Sequence, residues 1–286
     1  MAGLTNFAEA ILHNYVFGRS AAASFPNTWD FALFTSMPNE DGTGGEEVST
    51  SGTGYARKSV SNNTTNFPLT PTTTAGDDVK GVKVQAVAIQ FAAVTANWGR
   101  VVGWGIYDAS GNLWAYGELP EPREYITGDT PKFAAEALTF TFEAQGGAAA
   151  SPLSFFLRKQ LLDALFGRGD TYVIPSTLYF ALMTAMPAGV DAAGTELTIG
   201  SNGYARVPVA NSTTNFGSYT DGEGKNLTQI TWPTVATAAW ADVLGMAIYD
   251  AATSGQLLFE IPFSTRTYAV GEVPRIPVAD FVHFLD

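Results

Sequence analysis

The chain carries one long pattern twice, so any fold it adopts must build the same domain two times over. Phe17-Gly18-Arg19 returns as Phe166-Gly167-Arg168, an offset of 149 residues. At that offset Phe31-Ala32-Leu33 meets Phe180-Ala181-Leu182, and Met37-Pro38 meets Met186-Pro187. Gly54-Tyr55-Ala56-Arg57 meets Gly203-Tyr204-Ala205-Arg206, and Thr64-Thr65-Asn66-Phe67 meets Thr213-Thr214-Asn215-Phe216. After a shorter loop in the second copy the register resumes at 142, with Ile106-Tyr107-Asp108-Ala109 on Ile248-Tyr249-Asp250-Ala251. Solenoid units repeat every 20–50 residues or so, which excludes that architecture. The pattern is a tandem duplication: a first domain over 1–145, a linker over 146–150 and a second, homologous domain over 151–286. Each half of the 286 residues is long enough to bury its own core.

Within each copy a short helix leads into strands. Asn6 and Glu9 have capping-box spacing, with Phe7, Ile11 and Val16 on one face, and Gly18 stands where a left-handed residue ends a helix. In the second copy Ser151-Pro152 reads as an N-cap followed by proline at the first helical position, and Phe156, Leu161, Leu162 and Leu165 run up to Gly167. Trp29–Thr35 and Thr177–Met183 are aromatic-rich runs that end at Met-Pro, where a residue without an N–H stops the ladder. Tyr55–Val60 and Tyr204–Val209 read as a second pair of strands. In Lys80–Phe91 the alternation changes parity near Ala86, which predicts a bulge or a change of sheet face. Val101–Tyr107, a turn at Asp108-Ala109-Ser110-Gly111-Asn112 and Leu113–Tyr116 form a hairpin. Leu138, Phe140 and Phe142 alternate with Thr139 and Thr141 in a last strand, and Phe281, His283 and Leu285 do the same in the second copy. Short strands without crossover helices predict a mainly β protein: two tandem antiparallel β-sandwich, jelly-roll-like domains, each preceded by a short N-terminal helix.

The composition removes several classes of chemistry. There is no cysteine, hence no disulfide, thiolate nucleophile or thiolate metal site. A net charge of −12 argues against a nucleic-acid partner, which needs clustered cations. No apolar run reaches the length of a membrane span, and no basic segment precedes an apolar one at the N-terminus, so neither a membrane partner nor a secretory signal is expected. The two histidines, His13 and His283, are not duplicated, and no nucleophile elbow, phosphate loop or HExxH is present. The expectation is no enzyme, no catalytic residue, no cofactor and no metal. Asn39-Glu40-Asp41-Gly42 with Glu46-Glu47 is the one stretch that could gather oxygens around calcium, against a solvated acidic loop as the plainer reading. Its counterpart over 188–196 keeps part of the set, and Asp77-Asp78 offers less. Trp98, Trp232 and Trp240 lie in or beside predicted strands, where aromatics fill cores more often than they stack on sugars. The Asn-x-Thr sequons at Asn62 and Asn226 read as accidental. Arg57 and Arg206, retained in an acidic chain, call for carboxylate partners, with Asp108 and Asp250 as candidates. Tyr55 should bury its ring and bond its hydroxyl outward, and Tyr107 and Tyr249 should occupy equivalent, largely buried positions.

On these residues the chain resembles a family of tailed-bacteriophage virion proteins labelled tail-fibre-like, and to a lesser degree capsid cement proteins. The shared features are Phe-Gly at 17–18 and 166–167, the strands closed by Met-Pro, and Gly-Tyr-Ala-Arg with Thr-Asn-Phe downstream. Gly105-Ile106-Tyr107-Asp108-Ala109 through Gly117 matches the family's hairpin. In the second copy Ala247 replaces its leading glycine. Gly128-Asp129 and Gly271-Glu272 precede the last strand. Family members typically hold one such domain, so the tandem form is a departure. The resemblance implies a virion structural protein made in the host cytoplasm, with no catalytic residues to carry over. It points to a capsid decoration or cement protein on the outer capsid surface, with the major capsid protein or other virion proteins, or a homo-oligomer, as partners. The alternative is a tail-fibre or receptor-binding module recognising host glycan. The lack of heptads and shaft-like repeats favours the capsid.

Overall fold

A computed structural model describes residues 2–18, 25–70, 83–140, 153–169, 172–187, 194–219 and 223–283. The protein is mainly β, with 40% of the described residues in strands and 10% in helix, and two similar sheet sets match the two tandem copies. Its residues fall into two compact units, neither of them a continuous stretch. The first comprises Met1–Ile11, Ser24–Thr141 and Leu161–Thr171; the second comprises Leu12–Ala23, Phe142–Gln160 and Tyr172–Asp286.

The first copy contains β1 (Ala2–Leu4), α1 (Asn6–Val16), β2 (Thr28–Ser36), β3 (Glu46–Glu47), β4 (Lys58–Ser61), β5 (Lys83–Val84), β6 (Ile89–Gln90), β7 (Gly99–Tyr107), β8 (Leu113–Tyr125), β9 (Lys132–Phe133) and β10 (Thr139–Phe140). The second contains α2 (Phe155–Leu165), β11 (Thr177–Ala185), β12 (Thr195–Glu196), β13 (Val207–Ala210), β14 (Gly224–Lys225), β15 (Ile230–Thr231), β16 (Trp240–Tyr249), β17 (Leu257–Tyr268), β18 (Arg275–Ile276) and β19 (Val282–His283). The main sheet of the first unit runs β1-β8-β7-β2-β3, with β4 also on β2. That of the second runs β12-β11-β16-β17, with β13 on β11. Every pairing in both is antiparallel.

Each main sheet is faced by short two-stranded ladders, β5–β10 and β6–β9 in the first unit and β14–β19 and β15–β18 in the second. Aromatic contacts join the layers. Trp104 of β7 meets Phe133 and Phe140 edge-on, and Phe180 of β11 meets Phe281. Such pairs add about 0.5–1.5 kcal/mol beyond the area they bury. The predicted long strand over 80–91 is two short ones, and residues 80–82 lie outside the described residues. Between them Gln85 is buried and substitutes for the missing ladder: it accepts from the Leu138 amide (2.8 Å) and donates to the Ala134 carbonyl (2.6 Å). Asn226 has the same role in the second unit, toward Phe281 and Pro277. Of the last strands, Leu138, Phe140, Phe281 and His283 face inward, while Phe142 and Leu285 lie outside the described residues.

The helices form where the sequence places them, but their first turns differ from expectation. The residue that caps α1 is Thr5, not Asn6: its hydroxyl accepts from the Ala8 amide (3.4 Å) and donates to the Leu113 carbonyl (2.6 Å). Ser154 repeats this in α2, accepting from Leu157 and donating to Leu257, while Ser151 and Pro152 lie outside the described residues. Phe7 is on the exposed side of α1, against the edge of Trp114, and the buried face is formed by Ala8, Leu12 and Val16. Gly18 and Gly167 do adopt positive φ, 78° and 96°, as a helix stop requires. The proposed linker, residues 146–150, lies outside the described residues.

Candidate functional site

The sharpest duplicated motif, Gly-Tyr-Ala-Arg, builds the same brace in each unit. Gly54 has φ +71°, and a Cβ there would stand 2.9 Å from the Thr95 hydroxyl and 3.0 Å from the Ala93 carbonyl; only glycine fits. This turn aims the next side chain inward. The Tyr55 hydroxyl accepts from the Leu33 amide (2.9 Å) and donates to Glu47 (2.7 Å), so it bonds inward to β2 and β3 and not outward as expected. Arg57 grips the same carboxylate with two nitrogens, Nε at 3.0 Å and Nη2 at 2.8 Å, and its guanidinium lies 3.5 Å over the ring of Tyr107. In the second unit Tyr204 bonds Leu182 and Glu196, Arg206 grips Glu196 at 3.0 and 2.7 Å, and its guanidinium covers Tyr249 at 3.6 Å.

The carboxylate partners are therefore Glu47 and Glu196, not Asp108 and Asp250. Those aspartates hold turns instead. Asp108 accepts from the Ser110 and Asn112 amides, the Asn112 side chain and the Trp114 indole. Burial alone would raise the Asp108 carboxyl, but these donors hold it below the usual carboxylate range. Asp250 accepts from Gln256 and Tyr172. The missed partners were readable, since Glu47 and Glu196 stand at the same 149-residue offset as the rest of the motif. Tyr249 is buried as expected and Tyr107 is half-buried. Burial, with the neighbouring glutamate, pushes the phenols of Tyr55 and Tyr204 far above their ordinary value. A neutral phenol, a saturated carboxylate and a clamped guanidinium form a brace. None of them is poised to exchange a proton with a ligand.

The acidic loop closes on itself. Asp41 accepts from the Thr43 amide (2.9 Å) and hydroxyl (2.6 Å), which lowers its pKa, and Glu47 is engaged by Arg57. Residues 188–193 and Asp77-Asp78 lie outside the described residues. Among the described residues no group of three or more His, Asp or Glu side chains could hold a metal ion. Asn62 and Asn226 are buried, with both side chains hydrogen-bonded into the fold, which removes them as glycan acceptors in the folded chain. All six tryptophans, Trp29, Trp98, Trp104, Trp114, Trp232 and Trp240, are at most 4% exposed. None presents a face on which a sugar could stack.

A second pair of polar clusters lies where each unit closes on a helix end. In the first, Lys83 and Asp163 are 1% and 0% exposed and meet at 2.5 Å. Asp163 also accepts from the Thr70 amide and hydroxyl, both at 2.7 Å, and Lys83 donates to the Pro68 carbonyl at 2.6 Å. In the second unit His13 and His283 meet Nε2 to Nδ1 at 2.5 Å with rings stacked 4.5 Å apart, both buried. Burial lowers His13 to about 4, the Asn14 side chain offsetting a little, and lowers His283 to about 2, with the charge of His13 acting in the same direction. Neither cluster is solvent-accessible. Sequence reasoning paired none of these residues.

Both units are held by the same internal brace, and the Lys83–Asp163 and His13–His283 clusters are buried. A family model, Podophage GP4 fiber I protein gp80, matches residues 3–141 and again 152–282. The chain belongs to that family, in tandem-duplicated form, and is a phage virion structural protein. No curated protein matches it.

Proposed function

We propose that the chain is a non-enzymatic component of a podophage fibre, contributing two homologous β units to the appendage. The observation that carries this reading is the match of the fibre I family to both copies. Within a fibre, the burial of all six tryptophans supports a structural role over one that reads host glycan by aromatic stacking. The partners are other virion proteins, with no cofactor, metal, nucleic acid or membrane.

One specific feature favours a second reading, a cement protein on the outer capsid. The sequence has neither heptads nor short shaft-like repeats, and a fused pair of like domains could engage two quasi-equivalent shell sites with the avidity of a short connection. Quantitative gel staining of purified particles separates the two, because a fibre subunit is present in a few to some tens of copies and a cement protein in hundreds. Antibody labelling of intact particles gives the position. Labelling at the tail with low copy number supports the fibre; labelling over the shell with high copy number overturns it in favour of cement.

A further inference from the structure

The helix ends that close the two units are variants of one plug. Leu12, Phe17 and Gly18 in the second unit correspond to Leu161, Phe166 and Gly167 in the first. The sockets share their main contacts as well. The Asn211 side chain donates to the Val16 carbonyl (2.8 Å) and accepts from the Gly18 amide (2.7 Å), and Asn62 does the same with Leu165 and Gly167. Phe17 packs on Phe216, and Phe166 on Phe67. These contacts are equivalent and cannot tell one helix end from the other.

Tyr15 and Val16 stand where the other plug has Ala164 and Leu165, while the buried polar differences gather at one spot. In the β5–β10 ladder Lys83 sits opposite Phe140, and in β14–β19 Gly224 sits opposite His283, so Lys83 corresponds to Gly224 and Phe140 to His283. On the plugs, Leu162 and Asp163 correspond to His13 and Asn14. Asp163 accepts from the Thr70 amide, and Asn14 accepts from the Tyr219 amide at the same register. A Cβ on Gly224 would lie 2.4 Å from both imidazoles, so a lysine there has no room once His13 is seated.

We propose that these two clusters form a pairing code: Leu161–Gly167 seats only in the socket bearing Lys83, and Leu12–Gly18 only in the socket bearing Gly224 and His283. Wrong seating is penalised in both directions. With Asn14 in the place of Asp163, the buried Lys83 ammonium loses its anion, and His13 meets the volume of Lys83 and Phe140. With Asp163 in the place of Asn14, a buried carboxylate faces Gly224 where the cation would be. Seating in the non-equivalent socket, of the same chain or of a second molecule, leaves buried charge unpaired, which is an effective penalty against it.

The test uses three full-length variants. The first exchanges the plugs: His13→Leu, Asn14→Asp, Leu162→His and Asp163→Asn. The second exchanges the sockets: Lys83→Gly, Phe140→His, Gly224→Lys and His283→Phe. The third carries all eight substitutions. After refolding from urea at high concentration, light scattering gives the fraction of dimer and larger species, and urea titration gives the midpoint. The first two should each have a lower midpoint than the parent, and the third should recover it. If the first two do not fold, a soluble monomeric third variant still supports the code. A third variant no better than the other two overturns it. So do plug and socket variants with the parent's midpoint, because the clusters would then not discriminate between the sockets.

Discussion

In the first unit the helix end is held by an ion pair, Lys83 to Asp163, with Thr70 bonded to the acid and the Pro68 carbonyl to the lysine. In the second the same volume holds two neutral imidazoles over Gly224. Yet the Glu–Tyr–Arg–Tyr brace repeats in both with distances that differ by about 0.1 Å. Where a motif carries a general load of the fold, such as closing a strand edge onto its neighbour, both copies retain it. Where a contact involves a helix end that has a close double in the same chain, the copies have diverged, and each divergence is matched by its partner. Loss of Lys83 corresponds to loss of the acid, and gain of His13 corresponds to gain of His283.

The largest break in this comparison should come from Lys83→Met. It leaves Asp163 buried without its cation, which costs about 3–5 kcal/mol. The parallel change in the second unit, His283→Phe, copies the first unit's Phe140 and removes no charge, so about 1–2 kcal/mol is expected. Urea denaturation of the two single variants measures both. Equal losses would mean that the ion pair is no more than packing.

Acid should separate the clusters next. His13 and His283 have pKa values depressed in the folded protein, to about 4 and about 2, from an ordinary 6.5. Above pH 6.5 both folded and unfolded chains hold neutral imidazoles, and the burial carries no penalty. As pH falls below 6.5 the unfolded chain takes up protons that the folded cluster refuses, so stability is lost down to about pH 4, on the order of 3 kcal/mol for His13 alone. Denaturation midpoints of the parent and of His13→Leu with His283→Phe, followed from pH 7 to pH 4, test this. The double variant should show a shallower slope across that window. An identical slope would place the acid sensitivity elsewhere.

The duplication, the mainly β class and the strand-ending prolines were legible because they rest on period and backbone chemistry, which a sequence displays directly. The partners of Arg57 and Arg206 were misread because Asp108 and Asp250 sit in a conspicuous motif, whereas Glu47 and Glu196 lie in two-residue strands with weak patterning. Thr5 was passed over as a cap because Asn6 and Glu9 have capping-box spacing, although the cap's hydroxyl also needed Leu113, more than a hundred residues away. The Lys83–Asp163 and His13–His283 clusters were invisible for a related reason. Each joins residues separated by 80 and 270 positions, and no local pattern records such a contact.

Smaller effects probe the brace itself. Arg206 is 4% exposed at its side chain and also donates to the Ala251 and Ser254 carbonyls, both at 2.7 Å, whereas Arg57 is 33% exposed and has the glutamate and the Tyr107 ring. Arg206→Met should therefore cost about 2–3 kcal/mol, and Arg57→Met about 1 kcal/mol after solvent screening. Thermal melts of the two variants give the ranking. A larger loss at Arg57 would show that the buried hydrogen bonds of Arg206 do not govern the brace.

The smallest expected difference is the most diagnostic for the comparison. Tyr55 and Tyr204 each accept from a β-strand amide at 2.9 Å and donate to a glutamate at 2.7 and 2.8 Å. Tyr→Phe removes only the hydroxyl and leaves the ring packed edge-on to Trp98 or Trp240. What is lost is one hydrogen bond to a carboxylate and the acceptor for the Leu33 or Leu182 amide, about 1–2 kcal/mol in each case. Because the two environments match, the two losses should agree to within about 0.5 kcal/mol, and the two changes together should add. Urea titration of Tyr55→Phe, Tyr204→Phe and the double variant tests it. Unequal losses would mean that the copies have diverged in the brace as well as at the helix ends, and the contrast between a common load and a copy-specific contact would not hold.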